Sequence, residues 1–193
     1  MTEPTEINAL KSLSKAVKDL DNLNLTQRKL FDKIEHTHTN IFIQGQAGTG
    51  KSTFIKYLKK HSKKRIRLVA PTAIAALNIE GATIHSMFTL PLGDFLIMRE
   101  ILSSRRRKLK SILKKTDILI IDEVSMVRPD ILDAIEALCC QARGNLALFG
   151  GLQIILIGDL CQLPPIIKYE AQPAFKQEYG TCEPYFFDSK AYQ

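Results

Sequence analysis

Four short aliphatic runs, separated by segments of helical pattern, constrain the fold of this 193-residue chain more than any other feature. The runs are Ile41–Ile43, Ile66–Val69, Ile118–Ile121 and Ile154–Ile157. Each is apolar at nearly every position and is bounded by Gly, Pro or charge, which is typical of strands buried on both faces. Such strands alternating with helices predict an α/β fold, a parallel sheet with helices on both faces.

Helical patterns fill the spaces between these runs. We predict helices over Lys51–His61, Thr72–Asn78, Asp94–Lys115 in two pieces, and Asp130–Arg143. Before the first run, Thr26 is expected to cap a helix that carries Leu30, Phe31 and Ile34 on one face. Apolar residues at helical spacing also predict an amphipathic lead helix in residues 1–22, followed by one domain over residues 23–193.

The net charge of +7 is concentrated in two clusters, Lys59–Arg67 and Arg105–Lys115. Basic clusters attract polyanions, so they support a nucleic-acid partner without identifying it. Composition alone slightly favours the alternative that they are solvated helix ends. The longest purely aliphatic runs have four residues, too few to cross a membrane, and residues 1–10 lack the apolar block of a secretory signal. We therefore expect no membrane partner and an intracellular location, cytoplasmic or nuclear.

The candidate site residues lie in the polar segments that directly follow the four aliphatic runs. The four runs lead into GQAGTGKS, APTAIAA, DEVS and GDLCQLPP in chain order. In open parallel sheets the ligand binds at the carboxyl edge of the strands. We expect these four polar segments to gather at that edge.

The first of these segments, Gly45–Ser52, matches G-x-x-x-x-G-K-[ST] in full, between a predicted strand and a predicted helix. Its glycines let successive backbone N–H groups point at phosphate oxygens, and the helix amino terminus favours negative charge. Lys51 is expected to reach the β and γ phosphates, and Ser52 to offer a hydroxyl to Mg²⁺. ATP with Mg²⁺ is the predicted ligand, and its predicted binding residues here are Gly45, Ala47, Gly48, Thr49, Gly50, Lys51, Ser52 and Thr53.

Two carboxylates, Asp122 and Glu123, end the third run beside this loop. Asp122 is expected to hold Mg²⁺, directly or through water. Glu123 is expected to orient and partly deprotonate the water that attacks the γ phosphate. An Asp-Glu pair alone is common on protein surfaces, so the prediction of hydrolysis depends on the phosphate-binding motif as well.

With these motifs in order, the chain resembles the first RecA-like domain of superfamily 1 DNA helicases. It is most similar to the petite-integration-frequency type, and the RecD type is a close relative. The resemblance covers Leu23–Ser189 and rests on LTQRKLFDKI, GQAGTGKST, APTAIAALNIEGATIHSMF, IIDEVSMV and GDLCQLPPI. It implies a P-loop NTPase of the RecA-like type, whose ATP hydrolysis drives 5′ to 3′ translocation of a monomer on single-stranded DNA.

The resemblance also implies roles for single residues. Gln27 matches the amide that reads the adenine edge, and Gln162 matches the residue that senses the γ phosphate. Pro71, Thr72 and the stretch Thr83–Ser86, with His85 as its DNA-binding candidate, match the segments that contact the single-stranded DNA backbone. Phe88 could stack on a base, but its apolar neighbours favour a place in the core.

The helicases of this type continue into a second RecA-like domain, whose arginines complete the ATP site. The 193 residues contain no counterpart of that domain, and YFFDSKAYQ resembles the closing strand and helix of the first. An arginine supplied across the site is worth about 10³–10⁵ in rate. We expect a fragment that binds ATP and Mg²⁺ but shows weak, DNA-insensitive ATPase activity.

Two other functions fit the phosphate-binding motif. A small-molecule kinase would need an acceptor pocket and a basic lid, and would have no use for Gly158–Pro165. A non-catalytic ATP switch that binds DNA or a partner protein remains the alternative to a motor, and Glu123→Gln separates the two because only the motor depends on turnover.

Overall fold

The computed structural model describes residues 23–46, 48–103 and 106–193. Within them, five parallel strands form one sheet: β1 (Ile41–Gln44), β2 (Ile66–Ala70), β3 (Ala82–Thr83), β4 (Ile118–Ile121) and β5 (Gln153–Gly158). Their order across the sheet is β1-β5-β4-β2-β3. The predicted lead helix and the predicted nucleotide-binding residue Ala47 lie outside the described residues. The α/β fold with a parallel sheet is confirmed.

Helices connect the strands. They are α1 (Leu25–His36), α2 (Lys51–His61), α3 (Ala73–Asn78), α4 (Ile84–Phe88), α5 (Met98–Ser103), α6 (Arg107–Lys114), α7 (Pro129–Arg143) and α8 (Gln172–Tyr179). The longest of these is α7, with 15 residues. No helix among the described residues is long and apolar enough to cross a membrane.

The strands alternate their side chains between two hydrophobic cores, one on each face of the sheet. Ile118 and Ile120 of β4 pack with α1 and α2, whereas Leu119 and Ile121 pack with α4, α6 and α7. All four side chains of β4 are fully buried. Burying an aliphatic side chain contributes about 1.5–3 kcal/mol, so the two-sided burial explains why the run has no polar position.

Two predictions about local structure need correction, and three short elements were not predicted. Helix α1 begins at Leu25 and is capped by Asn24, not by Thr26, because the Asn24 side chain accepts a hydrogen bond from the Gln27 backbone N–H. The segment YFFDSKAYQ forms a short 3-10 helix over Phe186–Asp188, and no strand of the described sheet runs through it. The short elements β3, α4 and α8 were not predicted.

Candidate nucleotide and DNA site

The register of the sheet gathers the predicted site at its carboxyl edge. The last residues of β1 and β5, Gln44 and Gly158, are partners, and the backbone N–H of Gly45 donates to the Gly158 carbonyl at 3.2 Å. On the other side of β5, Leu156 pairs with Ile121, the last residue of β4. The segments after β1, β5 and β4 therefore emerge side by side, as the sequence predicts.

The phosphate-binding motif forms a turn between β1 and α2. Gly48 and Gly50 have φ angles of +80° and +86°, which L-residues with side chains adopt only with strain. Gly50 occupies the cap position of α2 without any side-chain cap, so the N–H groups of the first helical turn stay available for an anion. Ser52 and Thr53 are exposed in that turn.

The Lys51 side chain folds back over the loop. Its ammonium group donates to the carbonyl of Gly45 at 2.6 Å and to that of Gln46 at 2.9 Å. The Thr49 hydroxyl donates to the same Gln46 carbonyl at 2.8 Å. These bonds hold the lysine charge against the backbone of the loop that is predicted to bind phosphate.

Asp122 lies directly after β4, and its position is fixed by a hydrogen bond from its backbone N–H to the carbonyl of Val69 at 2.9 Å. The residue is 5% exposed, and its Oδ1 atom has no hydrogen-bond partner among the described residues. Burial, together with the charge of Glu123, raises the pKa of Asp122 to about 6, while the Glu123 backbone N–H and the Lys51 charge act against the rise.

An unsatisfied buried carboxylate oxygen is costly unless a cation or proton meets it. Carboxylate and hydroxyl oxygens are ligands that Mg²⁺ prefers, and Asp122 interacts electrostatically with Lys51, the neighbour of Ser52. The residues therefore fit the predicted metal, with Asp122 and Ser52 as the oxygen donors.

Glu123 is held in a left-handed backbone conformation, with φ 51° and ψ 43°. It precedes a 3-10 turn over Val124–Met126, and its side chain is half-buried. Non-glycine residues at such angles are strained, and strain of this kind clusters at functional sites. The sequence identified Glu123 as a candidate but gave no sign of this conformation.

Asp159 is a second buried carboxylate at the same edge, and sequence reasoning missed it. It is 5% exposed, and it accepts hydrogen bonds from the Cys161 backbone N–H at 3.0 Å and the Gln162 side-chain amide at 3.1 Å. These two bonds, and further the charge of Lys51, lower the pKa of Asp159. A signal was present, because Asp159 follows an aliphatic strand just as Asp122 does.

Gln162 itself is exposed and is tethered to Asp159. The start of this segment lies very close to the turn after Glu123. A Cβ atom at Gly158 would come within 3.0 Å of the Val124 side chain and 3.2 Å of the Ser125 backbone N. The segment that leads to Gln162 and the turn after Glu123 are therefore in close contact at Gly158.

Gln27, in the first turn of α1, also reaches the phosphate-binding loop. Its side-chain Nε2 lies 3.1 Å from the position that a Cβ atom on Gly50 would occupy. The base-reading candidate and the phosphate-binding candidates therefore lie next to each other, although they are more than 20 residues apart in the chain.

The DNA-binding candidates lie at the ends of β2 and β3, whose last residues Ala70 and Thr83 are partners. The half-buried Pro71 follows β2, and the Thr72 hydroxyl caps α3 by accepting from the Ala75 N–H at 3.2 Å. Thr83 caps α4 in the same way, accepting from the Ser86 N–H at 3.2 Å. Two adjacent helix starts, each with a half-buried threonine hydroxyl, therefore lie side by side at this edge, and hydroxyl and backbone N–H groups are the types that contact nucleic-acid phosphates.

His85, in α4, is half-buried beside an ion pair between Arg128 and Asp130. Burial and then the charge of Arg128 lower the pKa of His85, against the opposite effect of Asp130. Phe88 is completely buried in the hydrophobic core, so the interpretation of this ring as a core residue is confirmed.

Comparison with known proteins agrees with this arrangement. The family model described as PIF1-like helicase matches residues 22–179. The ATP-dependent DNA helicase RRM3 of Saccharomyces cerevisiae is 34% identical over 193 aligned residues, which cover 91% of this chain and 26% of the relative.

Two solved structures of Bacteroides Pif1 are similar throughout the fold. The protein bound to single-stranded DNA has a TM-score of 0.80 at 38% identity, over 87% of this chain and 38% of that one. The complex with ADP-AlF₃ and single-stranded DNA has the same TM-score and identity, over 87% and 39%. This chain thus spans about a quarter to two fifths of the length of these relatives. The chain belongs to the PIF1-like helicase family.

Proposed function

We propose that this chain is the nucleotide-binding part of an ATP-dependent DNA helicase, in which ATP hydrolysis drives 5′ to 3′ movement on single-stranded DNA. One observation carries the proposal. The Lys51 ammonium, the unpartnered Oδ1 of Asp122 and the carboxylate of Asp159 share one sheet edge. The candidate DNA contacts begin on the next strand of that edge.

The geometry supports a division of work among the residues. Lys51 and the N–H groups at the start of α2 hold the phosphates, while Asp122 and Ser52 hold Mg²⁺. When bound, the metal neutralises charge on the phosphate oxygens. Glu123 orients the attacking water and accepts its proton, and Gln162 detects the γ phosphate.

Binding and turnover test the nucleotide half of the proposal, with a fluorescent ATP analogue and a single-turnover hydrolysis assay at excess protein. Lys51→Ala is expected to weaken ATP binding by roughly 10–100-fold, since charge-assisted hydrogen bonds are lost. Lys56→Ala, an exposed lysine on the same helix, is the matched control and should bind as the unchanged chain does. Equal affinities of the two variants would remove the phosphate-binding role from Lys51.

Glu123→Gln separates a motor from a non-catalytic switch. The substitution keeps size and hydrogen bonding but removes the base, so hydrolysis is expected to fall about 10²–10⁴-fold while ATP still binds. A variant that hydrolyses ATP at the original rate contradicts the role assigned to Glu123.

The DNA half of the proposal rests on the adjacent starts of α3 and α4. We propose that Pro71, Thr72 and His85 contact the single-stranded backbone, and that one monomer suffices for this. His85→Ala should weaken binding to a fluorescent oligothymidylate by roughly three- to tenfold, whereas His38→Ala, an exposed histidine at the other edge of the sheet, should not. Binding must also weaken as salt rises.

A further inference from the structure

The side-chain amide of Gln27 is held in one orientation by Asn24. The two residues form a capping box: the Asn24 side chain accepts from the Gln27 backbone N–H at 2.8 Å, and Gln27 Oε1 accepts from the Asn24 backbone N–H at 3.1 Å. Asn24 thereby satisfies the end of α1 and fixes a side chain that reaches the nucleotide site.

This box decides which end of the amide faces the site. A backbone N–H can only donate, so the atom opposite Asn24 N has to be the oxygen of Gln27 and not its nitrogen. The Nε2 group is then the end that lies against Gly50 and the phosphate-binding loop. Oε1 keeps a second lone pair, and the amide presents one donor and one acceptor side by side.

The backbone that provides this N–H is itself braced. Leu23 is 4% exposed in the core beneath α1, and its carbonyl accepts from Nε of Arg28 at 3.1 Å. The Arg28 backbone N–H donates to the Asn24 carbonyl at 3.0 Å. The donor that locks Gln27 is therefore part of a rigid helix start.

The orientation matters because purine bases differ at one edge. Adenine offers an amino donor beside the N7 acceptor, whereas guanine offers two acceptors there, O6 and N7. An amide whose acceptor and donor are fixed in place matches the amino group and N7 of adenine. Against guanine, the same amide oxygen would face O6, which is another acceptor. An amide that can rotate by 180° loses that discrimination, since either end can then face the exocyclic group.

We propose that Asn24 is a positioning residue that sets the preference for adenine over guanine nucleotides by locking the amide of Gln27. The inference rests on the proposed function, in which Gln27 reads the base. Asn24 does not contact the nucleotide in this scheme. Asn24 acts through Gln27, so its replacement should change the preference for ATP over GTP and leave the affinity for the phosphate groups unchanged.

Three substitutions of Asn24 dissect the box. Asn24→Ser keeps both the side-chain cap and the backbone N–H. Asn24→Ala removes the cap and keeps the N–H. Asn24→Pro removes both, and the φ angle of −71° at this position suits a proline ring. Gln27→Glu keeps the acceptor for Asn24 N but has no donor for the base.

The readout is the ratio of dissociation constants for GTP and ATP, measured with Mg²⁺ by competition against a fluorescent ATP analogue. Tripolyphosphate, which has no base, is measured in parallel. We expect the ratio to fall by roughly tenfold in Asn24→Pro, the size of one hydrogen bond, by less in Asn24→Ala, and not in Asn24→Ser. Tripolyphosphate affinity should stay constant through the series, and Gln27→Glu should lose ATP affinity while tripolyphosphate still binds.

An unchanged ratio in folded Asn24→Pro overturns the inference, as does an equal loss of ATP, GTP and tripolyphosphate affinity. If the proline variant does not fold, Asn24→Ala against Asn24→Ser tests the side-chain cap, because loss of the cap loosens the helix turn that holds the Asn24 N–H. Equal ratios in these two variants refute a positioning role for the Asn24 side chain. The proposed function fails separately: it fails if the unchanged chain binds neither ATP nor tripolyphosphate. A chain that binds tripolyphosphate but treats ATP and GTP alike keeps its phosphate site and refutes the lock.

Discussion

The left-handed backbone of Glu123 makes a prediction about stability that is independent of the ATPase reaction. At φ 51° and ψ 43° an L-residue costs about 1–2 kcal/mol relative to the right-handed region, and glycine does not. Glycine gains about 0.5–1 kcal/mol of extra freedom in the unfolded chain, which offsets part of this. Replacing the residue at this position by glycine instead of alanine should therefore raise the free energy of unfolding by about 0.5–1 kcal/mol.

Alanine is the reference because it removes the same carboxylate and keeps the strained backbone. Both Glu123→Gly and Glu123→Ala abolish the repulsion between Glu123 and the buried Asp122. The difference in the free energy of unfolding between the two variants therefore isolates the contribution of the backbone conformation. For a chain of this size, it corresponds to roughly 1–4 °C in melting temperature.

Urea unfolding at pH 7, followed by circular dichroism, measures this difference, and calorimetry checks it. The surrounding bonds hold the conformation in place: Asp122 N–H donates to Val69 before it, and Met126 N–H donates to the Glu123 carbonyl at 3.1 Å after it. If the glycine variant is no more stable than the alanine variant, the backbone of Glu123 is not strained and the reasoning is wrong. Both variants should lack hydrolysis, so stability would rise as function is lost.

Two further predictions concern the core and the amino edge of the sheet. Phe88→Ala should lower the free energy of unfolding by about 3–5 kcal/mol, because the ring is fully buried. A loss below about 1 kcal/mol, measured by urea unfolding, would contradict the place of Phe88 in the core. Hydrogen bonding from Arg65 lowers the pKa of Asp117 to about 2, below its usual value. The ionised carboxylate therefore stabilises the fold above pH of about 4, and this stabilisation is lost as the pH falls through about 2. Asp117→Asn should cost at most about 1 kcal/mol at pH 7, because the pair is partly exposed, and should cost nothing below pH of about 2; a constant difference between the two pH values would contradict this.

The strands could be predicted from the sequence because two-sided burial leaves a strong local signal. All four predicted runs are strands, whereas β3 was missed because it has only two residues and pairs through Ala82 and Thr83 alone. The start of α1 was misplaced because Thr26 and Asn24 are both good caps. The glutamine three residues after Asn24 is the signal that separates them, since it completes a capping box.

The placement of Lys51 and Asp122 at one sheet edge could be predicted from the sequence, but the electrostatics of that edge could not. Strand ends and the glycine-lysine motif place Lys51 and Asp122 at one edge without any knowledge of distances. The burial of Asp122, whose Oδ1 has no partner among the described residues, depends on how distant segments pack. The backbone strain at Glu123 and the local hydrogen bonds of Asp159 are local features that the residue types alone do not reveal. The domain limits, and the roles of individual site residues, stay predictions that the experiments above test.

The order of the strands explains why one edge can serve both ligands. Strand β2 lies directly beside β4, with Val69 opposite Ile121, and the Val69 carbonyl accepts the backbone N–H of Asp122. Pro71, the first DNA-binding candidate, is two residues beyond Val69. Neighbouring strands are about 4.8 Å apart, so the metal-binding candidate and the DNA-binding candidate share a rigid hydrogen-bonded ladder. One backbone hydrogen bond and two residues of chain thus separate Asp122 from Pro71, and the sheet order provides this direct connection between the two candidate sites in the described structure.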